Sequence, residues 1–426
     1  MARRDGRIEN ADAIEDVFTV RNSIFSREDL LDTGYVPRST RIVGRNEEIR
    51  RLAAALNPAL SGGSPNNVFL YGKTGTGKSL CAKYATRRCQ QVAAENGVEI
   101  GRIVVDCSQE DTETRAVRAL AKGLNDPDET GIDVPDTGLG RSRYYERLWT
   151  VLDSSYDVAL VVLDEIDRLD ADDVLMQLSR ATEAGKLDRC SVGIVGISNK
   201  IGYRDRLRER VKSSLREREI VFKPYDVDEL SEIMRNRVDA FRENALSGSV
   251  VGECAKLAAE EHGDARKAID LLRHAGEIAR SAGARTVEVE HVREASERAE
   301  RDRFHELLVG ATNQQKAVLL AVVSLALTEK SRAFRTKEIY EAYEQICADA
   351  ALEVLSKRRV HDLLREWEFL EVLDIARTGG GRARGSYLEC HLVEDPGIVR
   401  SVINEDGRFA GLGFASGRNS TTWSNI

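Results

Sequence analysis

The eight residues Gly72-Lys73-Thr74-Gly75-Thr76-Gly77-Lys78-Ser79 constrain this chain more than any others, because they fit G-x-x-x-x-G-K-[ST] at every position. The apolar run Val68 to Tyr71 before them reads as a strand, and the residues through Leu80 and Ala85 after them read as a helix. A strand, a glycine-rich turn and a helix N-terminus, in that order, build a phosphate cradle. Glycines let backbone N–H groups converge on phosphate oxygens where the helix dipole favours an anion. In such a cradle Lys78 reaches the β- and γ-phosphates and the Ser79 hydroxyl ligates magnesium. The expected ligand is ATP or ADP with Mg2+, held by Gly72, Thr74, Gly75, Thr76, Gly77, Lys78, Ser79 and Leu80. The competing reading, a glycine-rich turn before an ordinary helix, leaves the shared register of strand, motif and helix unexplained.

A second motif supports the first. The apolar stretch from Val158 to Leu163 delivers Asp164 and Glu165 at its C-terminal end, the edge where ligands bind in open α/β sheets. Asp164 is expected in the magnesium shell, with Glu165 polarising an attacking water. Alone this signal is weak, and beside the P-loop it is strong. Asn199 follows the strand Val192 to Ile197, where it either orients that water or closes an Asx turn. Arg266 lies in the first turn of a helix from Asp264 to Ala282 whose apolar side is Ile269, Leu272, Ala275 and Ile278. Off that face, it either reaches a γ-phosphate or is solvated.

At 426 residues the chain has room for two or three domains. Residues 1–37 read as an N-terminal arm with one apolar spot at Ile24 and Phe25. A helix with Ile49, Leu52, Ala53 and Leu56 inward ends before Pro58. Strands at Val68 to Tyr71, Ile103 to Asp106, Leu160 to Asp164, Val192 to Ile197 and Ile220 to Phe222 alternate with amphipathic stretches, so 38–225 reads as a parallel α/β sheet covered on both faces. Helices from Asp228 to Ala245, Val250 to His262 and Asp264 to Ala282 make 226–300 an all-α subdomain, closed by a charged helix Glu288 to Arg303.

The last third changes rhythm. Helices from Gln314 to Leu327, Thr336 to about Leu352 and Ser356 to Leu370 precede two strands around Gly379-Gly380-Gly381, the second running from Ser386 to Val393. Three helices and a glycine-tipped hairpin over 301–400 match the winged variant of the helix-turn-helix. Residues 401–426 read as a flexible tail. In the third helix Val360, Leu363, Leu364, Trp367 and Leu370 form the buried stripe, and Lys357, Arg358, His361 and Arg365, flanked by Arg359, form a basic face. Arg377, Arg382 and Arg384 surround the glycines, with no acid between Thr378 and Leu388. Such a face suits a major groove and such a wing a backbone or minor groove. Asp362, Glu366 and Glu368 dilute the charge and keep a solvated helix face in competition.

Composition narrows the class. Seven scattered cysteines, none in C-x-x-C spacing, argue against a disulfide framework and a zinc site. No apolar run approaches the ~20 residues of a membrane span. The polar N-terminus lacks a secretion signal, so a cytoplasmic, nucleoid-associated protein without membrane partners is expected. Net charge is −8, with 49 arginines against 14 lysines. An acidic, lysine-poor surface suits a high-salt cytoplasm, and a GC-rich genome explains the skew equally well.

The succession of the P-loop, Asp164-Glu165-Ile166-Asp167, Gly196-Ile197-Ser198-Asn199 and Gly263-Asp264-Ala265-Arg266 resembles AAA+ ATPases. More narrowly it resembles the archaeal ORC-type replication initiators, relatives of the eukaryotic origin recognition complex and its helicase-loading partner. Tyr35-Val36-Pro37, Thr137-Gly138-Leu139, Tyr145-Glu146-Arg147-Leu148, Arg210-Val211-Lys212-Ser213-Ser214-Leu215 and Pro224-Tyr225 are similar to that family's pattern. The resemblance implies an α/β AAA+ P-loop ATPase domain, an all-α lid subdomain and a C-terminal winged-helix domain. It implies Asn199 as sensor 1 and Arg266 as sensor 2, Val43 and Gly44 lining the adenine pocket, Tyr225 near the base and Arg237 facing the nucleotide. Arg210 becomes the candidate arginine finger, with Arg208 and Arg216 as alternatives, and a DNA-touching helical insertion is implied from about Asp111 to Tyr145. The function implied is ATP-dependent origin binding, slow ATP hydrolysis, and recruitment or loading of the MCM helicase on double-stranded DNA, possible partners being paralogous initiator subunits. A clamp-loader subunit, an ATP-switched winged-helix transcription regulator and a metabolic ATPase are the competing functions.

Overall fold

The computed structural model describes residues 24–32, 34–35, 42–215, 217–329, 333–378 and 387–412. Arg216, Arg382 and Arg384 lie outside the described residues, as does the glycine-rich tip between the last two strands. The chain divides at residue 293 into two units.

Parallel strands organise the first unit: β1 (Val68–Tyr71), β2 (Ile100–Asp106), β3 (Val158–Asp164), β4 (Ser191–Ser198) and β5 (Arg218–Val221). Their order is β2-β3-β4-β1-β5. The strand after the acids therefore lies between them and the P-loop strand. Tyr71 pairs with Ser198 and Leu163 with Gly196, which brings the three C-terminal ends level. From Val158 to Leu163 every residue of β3 is buried, as a parallel strand covered on both faces requires.

Helix α1 (Asn46–Leu56) ends as expected and passes into a 3₁₀ turn containing Pro58. Its packing on α2 (Lys78–Glu95) buries Leu52 and Leu56 as expected, but turns Ala55 inward and leaves Ala53 exposed. Between β2 and β3 run α3 (Glu113–Leu124) and α4 (Arg141–Ser155), packed together, with the Tyr145 hydroxyl donating to the buried Glu113 at 3.0 Å. Helices α5 (Asp173–Ser179) and α6 (Glu209–Leu215) complete the layer around the sheet.

The expected single helix from Asp228 to Ala245 is not formed. Helix α7 (Val227–Arg235) opens with a capping box between Asp226 and Glu229 and stops at Asn236. After a 3₁₀ turn at Val238–Ala240 the chain becomes extended at Phe241, which pairs, antiparallel, with Phe25. Their rings lie 5.0 Å apart. Ser26 and Arg27 both donate to the Ala240 carbonyl, at 2.8 and 3.0 Å, and Leu30 and Leu31 are buried. Residues 24–32, with 34 and 35, are thus a strap bound to the lid, where the sequence suggested a partly ordered arm. Helices α8 (Val250–Glu260) and α9 (Ala265–Ser281) finish the lid, and α10 (Val289–Val309) runs across the division between the units.

The second unit contains α11 (Asn313–Glu329), β6 (Ala333–Arg335), α12 (Thr336–Asp349), α13 (Lys357–Phe369), β7 (Leu373–Thr378), β8 (Tyr387–Leu392) and α14 (Pro396–Ile403). Strands β6, β8 and β7 form an antiparallel sheet in that order. Two elements were not expected. Three-residue β6 is too short to show an alternating pattern, while α14 carries a readable signal, Asp395 as N-cap with Pro396 at the first turn. Val402, Ile403 and Phe409 are buried with the core. That core therefore extends past the expected limit at residue 400. Leu370 caps α13 and is exposed rather than part of its buried stripe.

All seven cysteines are free and buried. Burial raises their thiols, to about 12 at Cys81, Cys107, Cys190 and Cys254 and about 11 at Cys390. Among the described residues no helix is long and apolar enough to cross a membrane.

Candidate nucleotide-binding site

Above the C-terminal ends of β1, β3 and β4 lies a cavity of about 340 Å³. It gathers Val43, Thr74, Gly75, Thr76, Gly77, Lys78, Ser79, Leu80, Asp164, Glu165, Asn199, Tyr225, Arg237 and Arg266. Its size suits a small-molecule ligand. Gly34, Ile42, Lys83, Ile233 and Asn236, which no motif marked, also line it, together with Tyr35.

The P-loop folds around its lysine. Lys78 Nζ donates to the carbonyls of Gly72 at 2.8 Å and Lys73 at 2.6 Å, and the Thr76 hydroxyl donates to Lys73 O at 2.8 Å. Burial pulls the Lys78 ammonium down to about 8, with the Asp164 carboxylate opposing the shift. Gly75 and Gly77 take the left-handed conformation, at φ 71° and 88°. Gly75 is required on a second ground: a Cβ there would stand 1.7 Å from Asp264 Oδ1. Asp264 caps α9 by accepting from the N–H groups of Arg266 at 2.7 Å and Lys267 at 3.3 Å. Ala265 N–H donates to Gly75 O at 3.2 Å. The lid helix is thereby seated on the P-loop, and exposed Arg266 stands at the cavity wall.

At the other wall Glu165 has φ 52°, a left-handed conformation unusual for a side chain of its size, and Arg168 lies 3.8 Å from its carboxylate. Asp167, behind it, accepts from Ser198 Oγ at 2.8 Å and pairs with Lys200 at 2.9 Å. Burial works to raise the Asp167 carboxyl, and these two donors outweigh it and hold it low. The Asn199 side chain takes no hydrogen bond among the described residues, so no Asx turn forms there, and it is Ser198 Oγ that accepts from the Lys200 N–H at 3.0 Å.

Other expected residues are placed differently. Gly44 and Gly72 do not line the cavity. Gly44 passes so close to the lid that a Cβ would meet Glu229 Oε1 at 2.2 Å, and Gly72 does the same against Phe222 O at 2.5 Å. Arg237 borders the cavity, yet its guanidinium donates to Leu30 O at 2.6 Å and Asp32 O at 3.2 Å and lies 5.4 Å from the Tyr35 ring centre. It therefore holds the strap. Tyr225 is buried, which raises its phenol to about 12 against the opposing Arg45 charge. Arg210, on α6, is away from the cavity and 4.0 Å from Asp173. Arg208 is tied to both Asp172 and Asp173.

On the second unit Lys357, Arg358, Arg359 and Arg365 are exposed along α13, with His361 half-buried. Arg359 pairs with Asp362 and Glu366 at 3.9 and 3.7 Å, and Arg365 with Glu368 at 2.5 Å. Lys357 Nζ lies 5.3 Å from the Tyr340 ring centre. Arg358 has no ion pair with a described residue. Arg377 belongs to β7.

A P-loop strand and an acid-bearing strand flanking a polar-ended one, closed by a helical lid with its own arginine, make the first unit a AAA+ P-loop ATPase, and the second is a winged helix. Residues 41–193 match the AAA ATPase domain family, 231–297 the Cdc6 AAA+ ATPase-type lid domain and 306–402 the CDC6 C-terminal winged-helix domain. The chain is 52% identical over 392 residues to ORC1-type DNA replication protein 4 of Halobacterium salinarum, covering 92% of this chain and 95% of that one. It is 43% identical to ORC1-type DNA replication protein 9 of Haloarcula marismortui, covering 89% and 91%. Among solved structures it is similar to the Aeropyrum pernix ORC1 protein in complex with DNA, at 38% identity and a TM-score of 0.66, over 91% of this chain and 98% of that one. The chain belongs to the archaeal ORC1/Cdc6-type family of DNA replication initiators.

Proposed function

We propose that this initiator binds double-stranded origin DNA under the control of its nucleotide and helps to recruit or load the MCM helicase, in company with paralogous initiator subunits. One observation carries the proposal: a AAA+ site and an arginine-bearing winged helix share one chain that aligns with ORC1-type replication proteins over about nine tenths of its length. The ORC1 relative of Aeropyrum pernix, seen with DNA, supports a DNA partner.

Ser79 and Asp164 supply oxygen donors in one cavity, which fits a hard cation such as Mg2+. No group of three or more His, Cys, Asp or Glu side chains able to hold a metal occurs among the described residues. Such an ion would share its shell with phosphates and water and balance phosphate charge. Lys78 would bind the phosphates, Glu165 would take the proton of an attacking water that Asn199 orients, and Arg266 would contact the γ-phosphate from the lid. Arg210 is exposed for service to a neighbouring subunit's nucleotide. On DNA, unpaired Arg358 would read base edges while Lys357, Arg359, His361, Arg365 and the arginines 377, 382 and 384 position the backbone.

The test is binding to an origin-repeat duplex against a random duplex of equal length at matched salt. A clear preference for the repeat is expected, and equal affinity would remove the origin assignment. Footprints of the wild type and of Arg358→Ala with Arg382→Ala then decide the contact residues, identical protection by both being the adverse result.

A further inference from the structure

Arg45 carries no motif and does not line the cavity, yet its side chain is 3% exposed. Its donors reach three separate backbone carbonyls. Nε–H goes to Thr76 O at 2.9 Å, Nη2 to Lys223 O at 2.7 Å and Nη1 to Gly44 O at 3.2 Å. The guanidinium also lies 3.7 Å from the centre of the Tyr225 ring and 5.6 Å from that of Phe222, with Glu48 at 3.9 Å. Thr76 belongs to the P-loop, and Lys223 and Tyr225 to the hinge that leads into α7. A buried cation held by backbone oxygens and an aromatic face, its nearest carboxylate at that distance, is costly to keep.

Peptide geometry shows what this placement does. The Thr76 carbonyl and the Gly77 N–H belong to one planar trans unit and point in opposite directions. With the carbonyl drawn outward to Arg45, the Gly77 N–H faces the cavity that Thr76 and Gly77 line, and it finds no acceptor among the described residues. Tyr225, clamped under the guanidinium, has its hydroxyl so near Gly77 that a Cβ there would meet it at 2.6 Å. We propose that Arg45 is a positioning residue that aims the Gly77 N–H at a nucleotide's phosphates and locks that peptide to the lid hinge. The proposal rests on reading the cavity as the nucleotide site. A lysine cannot replace the planar fork, because one ammonium cannot span three divergent carbonyls and stack on a ring.

The experiment compares the full chain with Arg45→Lys and Arg45→Met. It measures ADP affinity by titration, nucleotide-free melting temperature, and the ³¹P resonance of the β-phosphate at saturating ADP. Affinity should fall about tenfold or more, ~1.4 kcal/mol. The β-phosphate resonance should move in Arg45→Lys while the nucleotide-free melting temperature changes little. ADP affinity within about twofold of wild type would overturn the proposal. So would weakened affinity with an unmoved resonance, since Arg45 would then only support the surrounding fold. If Arg45→Met does not fold, Arg45→Lys carries the test. Failure of the unsubstituted chain to bind ADP would instead overturn the reading of the cavity.

Discussion

Replacing Arg237 with methionine separates two roles that the cavity wall combines, contact with a nucleotide and retention of the strap. Each hydrogen bond from a charged donor contributes roughly 1.5–3 kcal/mol. The 2.6 Å bond to Leu30 O belongs near the top of that range and the 3.2 Å bond to Asp32 O near the bottom. The guanidinium beside Tyr35 adds ~0.5–1 kcal/mol. Against this, methionine has no guanidinium to desolvate, a cost visible in the downward pull of burial on the Arg237 pKa. The balance leaves the strap weaker by roughly 2–3 kcal/mol, or about 30- to 150-fold in its opening equilibrium. Amide hydrogen exchange reads this at Ser26 and Arg27, whose N–H groups bond Ala240 O. Both should exchange faster by about that factor, while ADP affinity falls by about fivefold or less through the loosened Tyr35 and Gly34 wall. Unchanged exchange at these amides, with ADP affinity lowered more than about tenfold, would refute the reasoning and assign the guanidinium to the nucleotide.

Three further outcomes follow from the same geometry. Lys78 sits low, at about 8, so its folded state prefers the neutral amine: the penalty of the buried charge is present below that value and is relieved as pH rises from about 8 toward the ordinary lysine range. Binding phosphate needs the charged form. ADP affinity should therefore decline as pH rises through about 8, and calorimetry at pH 8 in buffers of different ionisation enthalpy should show proton uptake, a pH-independent affinity being the contrary result. Gly75→Ala should lower thermal stability by about 1–3 kcal/mol through its left-handed φ and the displaced Asp264 cap. Adding Asp264→Ser should recover part of the loss, and a melting temperature equal to wild type would contradict the contact. Arg358→Ala should weaken binding to the repeat duplex more than Arg365→Ala, whose charge Glu368 already meets, and should narrow the preference for the repeat over a random duplex. Equal losses would show that the ion pair on α13 does not decide which arginine is available.

What the sequence disclosed and what it withheld differ in kind. The strands β1 and β3 were legible because buried parallel strands read as unbroken apolar runs, and the P-loop because its register is rigid. The break of the lid helix at Asn236 was not, since Phe241 fits a helical stripe and leaves it only to meet Phe25, far upstream in the chain. The same holds for Arg45 and Arg237. An arginine in isolation reads as solvated, and nothing local signals that its donors will be buried against distant carbonyls. Leu370 failed for a smaller reason: it continues the stripe of α13 one residue past the helix end. The basic charge of α13 was visible, but its partition into Arg359 and Arg365, which are paired, and Arg358, which has no ion pair among the described residues, needed the helix geometry.

The burial of every cysteine has a practical consequence. Thiol reagents attack the thiolate, and thiols raised well above neutrality inside the core expose almost none of it. Single cysteines introduced on the exposed faces of α9 and α2 would accept maleimide dyes with little background from the native seven. The native cysteines therefore need not be removed before labelling, and the separation of the lid helix α9 from α2 can be read as a distance between two dyes on one molecule.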